Sequence, residues 1–440
     1  MHKKCMPMLN VNEAYNCGRC GLCLTTCPVY RQELDETVSP RSKVQLARLV
    51  AEGGLSQSAQ LMQIFSMCIN CGNCTTACPA GVLHGPLFMR LRSLLGDQFG
   101  HSWTMRLLFH LLTHEQQLLL AARIARFGRN VVLEKLGNDL VIGEIPLKNT
   151  PRMNQHPFRA QMPAVVHPQG TVKGTIVYFV GCATNLTFGA VGESVVRVLT
   201  AMGFRVVILK DQVCCGLPLI MHGALEKARE NIVTNVRVLG EPDSTAVIVD
   251  CATCGSALRK EYPQVLAELG HETKAAASLA RKVFDISEFV HDHFDLLEPH
   301  LSHPQQPETV TYHNPCHLRN AQGLKGIVEQ LLSRLPGVTY VPSKDAESCC
   351  GAGGSFCLEH PDITKAIAAE KIKNARATGA DLWATGCPGC NLNLSTNLAA
   401  TDGIRVVHPI QVVAQRLSGG RISPLGSSSG KRTVLAICAG

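Results

Sequence analysis

Two hydrophobic rhythms divide the chain. Before residue 172 apolar positions recur at helical spacing, at 42–50 and again at 61–65, and predict helices. Between 96 and 135, Leu107-Leu108-Phe109, Leu111-Leu112 and Leu118-Leu119-Leu120 stand among His, Gln and Arg, which predicts amphipathic helix. That stretch reads as a spacer packed on a neighbouring domain, or as a partner or membrane-surface helix, since Arg123, Arg126 and Arg129 follow its apolar run. Residues 144–172, rich in Pro, Gln and His, read as a linker. Beyond 172 the rhythm changes: short β-rich runs alternate with helical segments such as 195–202 and 361–377.

This second region repeats itself. The run at 175–180 ends at Gly181-Cys182, and its counterpart at 309–312 leads to Cys316. The run at 205–209 leads to Cys214-Cys215-Gly216, and that at 338–341 to Cys349-Cys350-Gly351. Residues 246–250 meet Cys251 and Cys254, while 382–385 meet Cys387 and Cys390. Offsets of 134, 135 and 136 residues align the copies almost without gaps. Alternating strand and helix implies parallel α/β units, and in open α/β sheets ligands gather at the carboxyl ends of strands. The Gly/Ser-rich end, 419–440, is expected to fray.

Composition narrows the class. At 440 residues the chain is too long for one ordinary core. With 45% hydrophobic and 17% charged residues it is globular, and it lacks the 18-residue apolar run a membrane-spanning helix needs. No apolar stretch follows Met1-His2-Lys3-Lys4-Cys5, so a cytoplasmic protein is expected. Twenty-one cysteines then indicate metal binding rather than a disulfide framework. The formal charge of +8 does not signal nucleic acid, because thiolate ligands offset it and no basic stripe interleaved with aromatics accompanies it.

The N-terminal cysteines form two runs, Cys17, Cys20, Cys23, Cys27-Pro28 and Cys68, Cys71, Cys74, Cys78-Pro79. In such runs three thiolates wrap one corner of a [4Fe–4S] cubane, and the fourth serves the other cluster. Carried onto this chain, one cluster takes Cys17, Cys20, Cys23 and Cys78, and the other takes Cys68, Cys71, Cys74 and Cys27. Structural zinc wants two separated pairs, not runs of four ending in proline.

The repeated pattern, Cys182, Cys214-Cys215-Gly216, Cys251, Cys254 and Cys316, Cys349-Cys350-Gly351, Cys387, Cys390, resembles the cysteine-rich CCG domain. That domain occurs twice in heterodisulfide reductase catalytic subunits, and in the iron–sulfur subunits of glycolate oxidase, D-lactate dehydrogenase and anaerobic glycerol-3-phosphate dehydrogenase. With the ferredoxin runs in the same chain, the resemblance covers nearly the whole length and points to the glycolate oxidase / D-lactate dehydrogenase iron–sulfur subunits. His360-Pro361-Asp362 also resembles that group. The implied fold class is α+β multidomain: a helical two-cluster ferredoxin domain (1–95), a helical spacer and linker (96–172), two tandem α/β CCG domains (173–308 and 309–418) and a tail.

The resemblance implies an electron-transfer subunit of a flavin-dependent 2-hydroxyacid (glycolate or D-lactate) dehydrogenase. A partner subunit would hold FAD, and a quinone or other acceptor would take the electrons. It also implies one or two further, non-cubane [4Fe–4S] clusters on the ten CCG cysteines, with zinc or a buried thiol cluster as the bland alternative. Peripheral contact with the inner face of a membrane is a further implication. Two other readings stay open: a catalytic subunit cleaving heterodisulfides at the non-cubane clusters, and the anchor subunit of anaerobic glycerol-3-phosphate dehydrogenase. Cys5, Cys357 and Cys438 fall outside the patterns, and Cys357 is expected to be a small buried hydrophobe. His313, His317 and His222 lie near cysteines, where they could tune a cluster through hydrogen bonds or serve structure.

Overall fold

The computed structural model describes residues 11–136, 141–142, 145–146, 153–304, 306–399 and 403–418. Cys5, Cys438 and the tail 419–440 lie outside them. The first unit is helical. Helices Pro40–Ala51, Ala59–Ser66 and His84–Phe99 bury Val44, Ala47, Leu61, Phe65, Leu87, Phe88, Leu91 and Leu95 together. Ser39 and Ser58 cap the first two by accepting from Ser42 N and Leu61 N. The helix His84–Phe99 runs through residue 95, so the expected boundary there falls inside an element.

Helices Trp103–Thr113 and Glu115–Leu136 follow, and then an antiparallel pair of two-residue strands, β1 (Val141–Ile142) and β2 (Ile145–Pro146). The part of the expected linker from 153 onward is packed rather than free. Phe158 and Arg159 are buried, and β3 (Val165–Val166) adds an antiparallel edge to the next sheet. Polar composition hid a segment whose single aromatic, Phe158, is a core residue.

That sheet also contains β4 (Gly174–Phe179), β5 (Phe204–Val207), β6 (Ala246–Val249) and β7 (Val283–Asp285), in the order β3-β5-β4-β6-β7, with the last four parallel. The second copy is all parallel: β8 (Glu308–Tyr312), β9 (Val338–Tyr340), β10 (Leu382–Ala384) and β11 (Arg405–Val407), ordered β9-β8-β10-β11. The copies thus share one topology, including a fourth strand in each, β7 and β11, that the apolar pattern did not reveal. Both are three residues long, too short for a period to register. The sheets do not stand apart: Ile176, Tyr178 and Ile248 share one core with Val310, Tyr312 and Trp383.

Candidate metal centres

Cysteines of the two N-terminal runs meet across the runs. Burial pushes Cys23 up to about 11, and the nearby thiols that add to this are Cys17, Cys20 and Cys78. Burial likewise carries Cys27 up to about 12, with Cys71 and Cys68 adding, and Cys74 feels burial first and then Cys71, Cys68 and Cys27. Cys27 lines one cavity with Cys68, Cys71 and Cys74, and Cys78 is among the thiols that act on Cys23. Gly21 and Gly72, at φ 83° and 73°, cap the short helices Leu22–Thr26 and Asn73–Thr76 in the left-handed region that glycine enters freely.

In the cysteine-rich copies five thiols gather at the carboxyl ends of the strands. Cys182 opens a helix just after β4, Cys251 follows β6 across Asp250, and Cys387 follows β10 and caps Pro388–Asn397, which carries Cys390. The adjacent pairs behave alike. Cys215 is held well below the usual thiol range because Cys214 and Cys254 contact it, and Cys350 is held down in the same way by Cys349 and Cys390. The Cys350 and Cys390 sulfurs lie 3.1 Å apart.

The sets also touch one another. Cys251 of the first copy contacts Cys387 of the second, whose sulfur lies 3.4 Å from Thr253 Oγ1. Cys349 of the second copy contacts both Cys316 and Cys71. Hydrogen bonds fix these junctions: Ala252 N donates to Gly386 O at 2.9 Å, and His408 Nε2 donates to Asp250 O at 3.0 Å. Asn320 Nδ2 donates to Cys71 O at 2.7 Å, and Arg319 Nη2 donates to Asn73 Oδ1 at 2.8 Å.

The donor set fits [4Fe–4S] groups. Cys27, Cys68, Cys71 and Cys74 border a cavity of about 220 Å³, which Lys43 also lines. Lys43 is 1% exposed and donates to the carbonyls of Val38 and, at 3.0 Å, Met67. A buried ammonium resting on carbonyls calls for anionic charge nearby, which a thiolate-ligated cluster supplies. A cluster held there by Cys27, Cys68, Cys71 and Cys74 would supply one-electron transfer. Burial lowers Lys43, while the thiols of Cys68 and Cys27 hold it up. Lys43 and its counterpart by the second copy, Lys371, were missed from sequence, because a lysine within a helical period carries no mark of burial. The Arg92 guanidinium, also missed, bridges units by donating to Cys68 O at 2.8 Å and Met221 O at 2.6 Å.

Of the candidate histidines, His313 lies with Cys350 and Cys390 in a buried group whose donor atoms are all within 4.8 Å of one another. Neither His313 ring nitrogen has a hydrogen-bond partner among the described residues. His317 Nδ1 stands 3.9 Å from Cys316 Sγ, and His222 contacts Ser355 Oγ through Nε2. Cys357 departs from expectation: it is partly exposed and donates to Gly354 O at 3.1 Å. The turn before it, not a core, receives its thiol.

Comparison with known proteins agrees with this geometry. A 4Fe-4S dicluster domain matches residues 13–82, and a cysteine-rich domain matches 176–259 and 310–395. The probable glycolate oxidase iron-sulfur subunit of Bacillus subtilis (strain 168) is 28% identical over 420 residues, covering 91% of this chain and 93% of that one. A dihydromethanophenazine:CoB--CoM heterodisulfide reductase subunit of Methanosarcina barkeri is 28% identical over 440 residues, covering 94% of this chain and 96% of that one. Among solved structures, a hypothetical protein from Helicobacter pylori shares the fold at a TM-score of 0.51 and 9% identity, over 88% of this chain and 69% of that one.

Proposed function

From a chain that joins one 4Fe-4S dicluster domain to two cysteine-rich domains, we propose an iron–sulfur electron-transfer subunit of a flavin-dependent 2-hydroxyacid dehydrogenase acting on glycolate or D-lactate. The residues that would hold its clusters are Cys17, Cys20, Cys23 and Cys78, then Cys27, Cys68, Cys71 and Cys74, and the five cysteines of each cysteine-rich copy. The observation that carries the reading is the run of thiol contacts without a gap from Cys71 through Cys349, Cys350, Cys390 and Cys387 to Cys251 and Cys254. Such a run serves one-electron relay. Hydride removal belongs on the FAD of a partner subunit, and the acceptor, a quinone or another carrier, lies beyond this chain.

The contact between the two five-cysteine sets, Cys251 against Cys387, favours a second reading: disulfide cleavage where the cysteine-rich centres face each other. A third feature bears on location. Trp103 and Leu107 on one helix, and Leu120, Ile124 and Phe127 on the next, are 50–72% exposed, with Arg106 and Arg123 exposed beside them. An apolar stripe flanked by cations suits an anionic membrane surface, and no helix among the described residues is long and apolar enough to cross a membrane.

Anaerobic purification with the partner, iron and sulfide analysis, EPR, and assays with glycolate, D-lactate and a heterodisulfide test these readings together. The first expects 2-hydroxyacid oxidation that needs a flavoprotein. Disulfide reduction by the chain without a flavoprotein would replace it with the second.

A further inference from the structure

Duplication makes the two cysteine-rich copies controls for one another, and one buried position breaks their equivalence. Helices Leu225–Gly240 and Pro361–Arg376 hold the same place in the two copies: each has 16 residues, and they start 136 positions apart (361 minus 225). The cysteines that follow show the same offset, Cys251 to Cys387 and Cys254 to Cys390. At that offset Asn235 corresponds to Lys371, and both are buried, at 0% and 3% exposure.

Each donates to backbone carbonyls of the segment that leads into its Cys-Cys pair. The Asn235 amide donates to Val213 O at 3.2 Å and Cys214 O at 3.1 Å, pinning the approach to Cys214-Cys215. The Lys371 ammonium donates to Asp345 O at 2.6 Å and Ala346 O at 3.1 Å, pinning the approach to Cys349-Cys350. What differs is charge. Burial pushes Lys371 down to about 8, and the thiols of Cys350, Cys349 and Cys390 hold it up. Among the other charges, Asp345 lies beside Lys371 and also holds its ammonium up. Beside the first site lie Asp250, which accepts from Tyr178 and Thr184, and Glu115 paired with Arg159. Gly386 takes the place of Asp250 in the second copy, where Arg319 pairs with Glu347.

Resting on the reading of both five-cysteine sets as iron–sulfur centres, we propose that Lys371 splits their reduction potentials, holding the second centre, which adjoins the dicluster domain through Cys349 and Cys71, above the first. Reduction adds one electron, and so one negative charge, to a centre in a low-dielectric interior. A fixed cation beside the centre, as Lys371 is where it lines one cavity with Cys349, stabilises the reduced form, and an amide does not. Each centre takes one electron from the dicluster domain, which the partner flavin supplies in turn, and no proton need move. The second centre fills first, and the first centre fills last.

The test is an EPR-monitored redox titration of the anaerobically purified full chain, comparing wild type with Lys371→Asn, Lys371→Arg and Asn235→Lys, with iron content measured for each. Lys371→Asn should lower one midpoint by at least tenfold in the oxidised-to-reduced ratio, about 59 mV for a one-electron couple. Lys371→Arg should keep the wild-type value, and Asn235→Lys should raise the other midpoint. If Lys371→Asn fails to retain its iron, Asn235→Lys decides. Full iron with unmoved midpoints in Lys371→Asn or in Asn235→Lys, or an arginine variant that shifts as far as the asparagine one, overturns the proposal. Wild-type protein with no signals beyond those of the dicluster domain defeats the reading beneath it instead.

Discussion

Lys43 shows what one residue bears. Its amine, sealed beside Cys68 and Cys27, donates to the Val38 and Met67 carbonyls. Lys43→Ala removes the donor from two buried acceptors at a cost of roughly 2–4 kcal/mol. The expected outcome is a lower melting temperature under anaerobic conditions and loss of iron from the dicluster domain first. An unchanged melting temperature with full iron would show that the cation is not required. Neither Lys43 nor Lys371 was legible beforehand. The grouping of the eight ferredoxin cysteines and of the ten in the repeat was, because spacing is a local property and burial is not.

Among the elements, the cap of helix Ile286–Asp292 couples stability to pH. Asp285 ends β7, accepts from Ser287 N at 2.8 Å and shares a capping box with Glu288. Burial raises its carboxyl from 3.8 to about 7, and Glu288 adds to the shift. The native state thus holds a proton that the unfolded chain has shed. Its contribution to stability is fully present below the unfolded value and is lost as pH rises through about 7. Asp285→Asn keeps the capping acceptor without the charge. Its urea midpoint should therefore exceed that of wild type at about pH 7.5 and match it at about pH 4. Identical profiles for the two proteins would refute the assignment. Elements were partly legible. Residues 176–180 and 246–249 carry unbroken apolar runs within the segments read as strands, whereas β7 and β11 are too short to show a period, and the packed segment around Phe158 was disguised by its polar neighbours.

For the molecule as a whole, the cysteine sets differ in shelter. Cys20 is exposed and the other seven ferredoxin cysteines are partly exposed, while nine of the ten in the cysteine-rich copies are buried, Cys182 being the exception. Thiolate ligands open to solvent meet oxidant first. Limited air exposure of the holoprotein should therefore bleach the signals of the dicluster domain before those of the cysteine-rich centres, with iron release following the same order. The reverse order would mean that the buried sets, not the helical domain, are the labile ones.

Spacing along the chain was enough to establish the duplication, the cysteines at the strand exits and the two ferredoxin runs, since each depends on residues close in sequence or on a regular offset between copies. It could not say that Cys71 meets Cys349 or that Cys251 meets Cys387. Those meetings join residues far apart in the chain, and they depend on which faces dock once the elements exist. Periodicity encodes the face an element buries. What that face is buried against, and which lone cation ends up beside which thiols, is settled when the surfaces close.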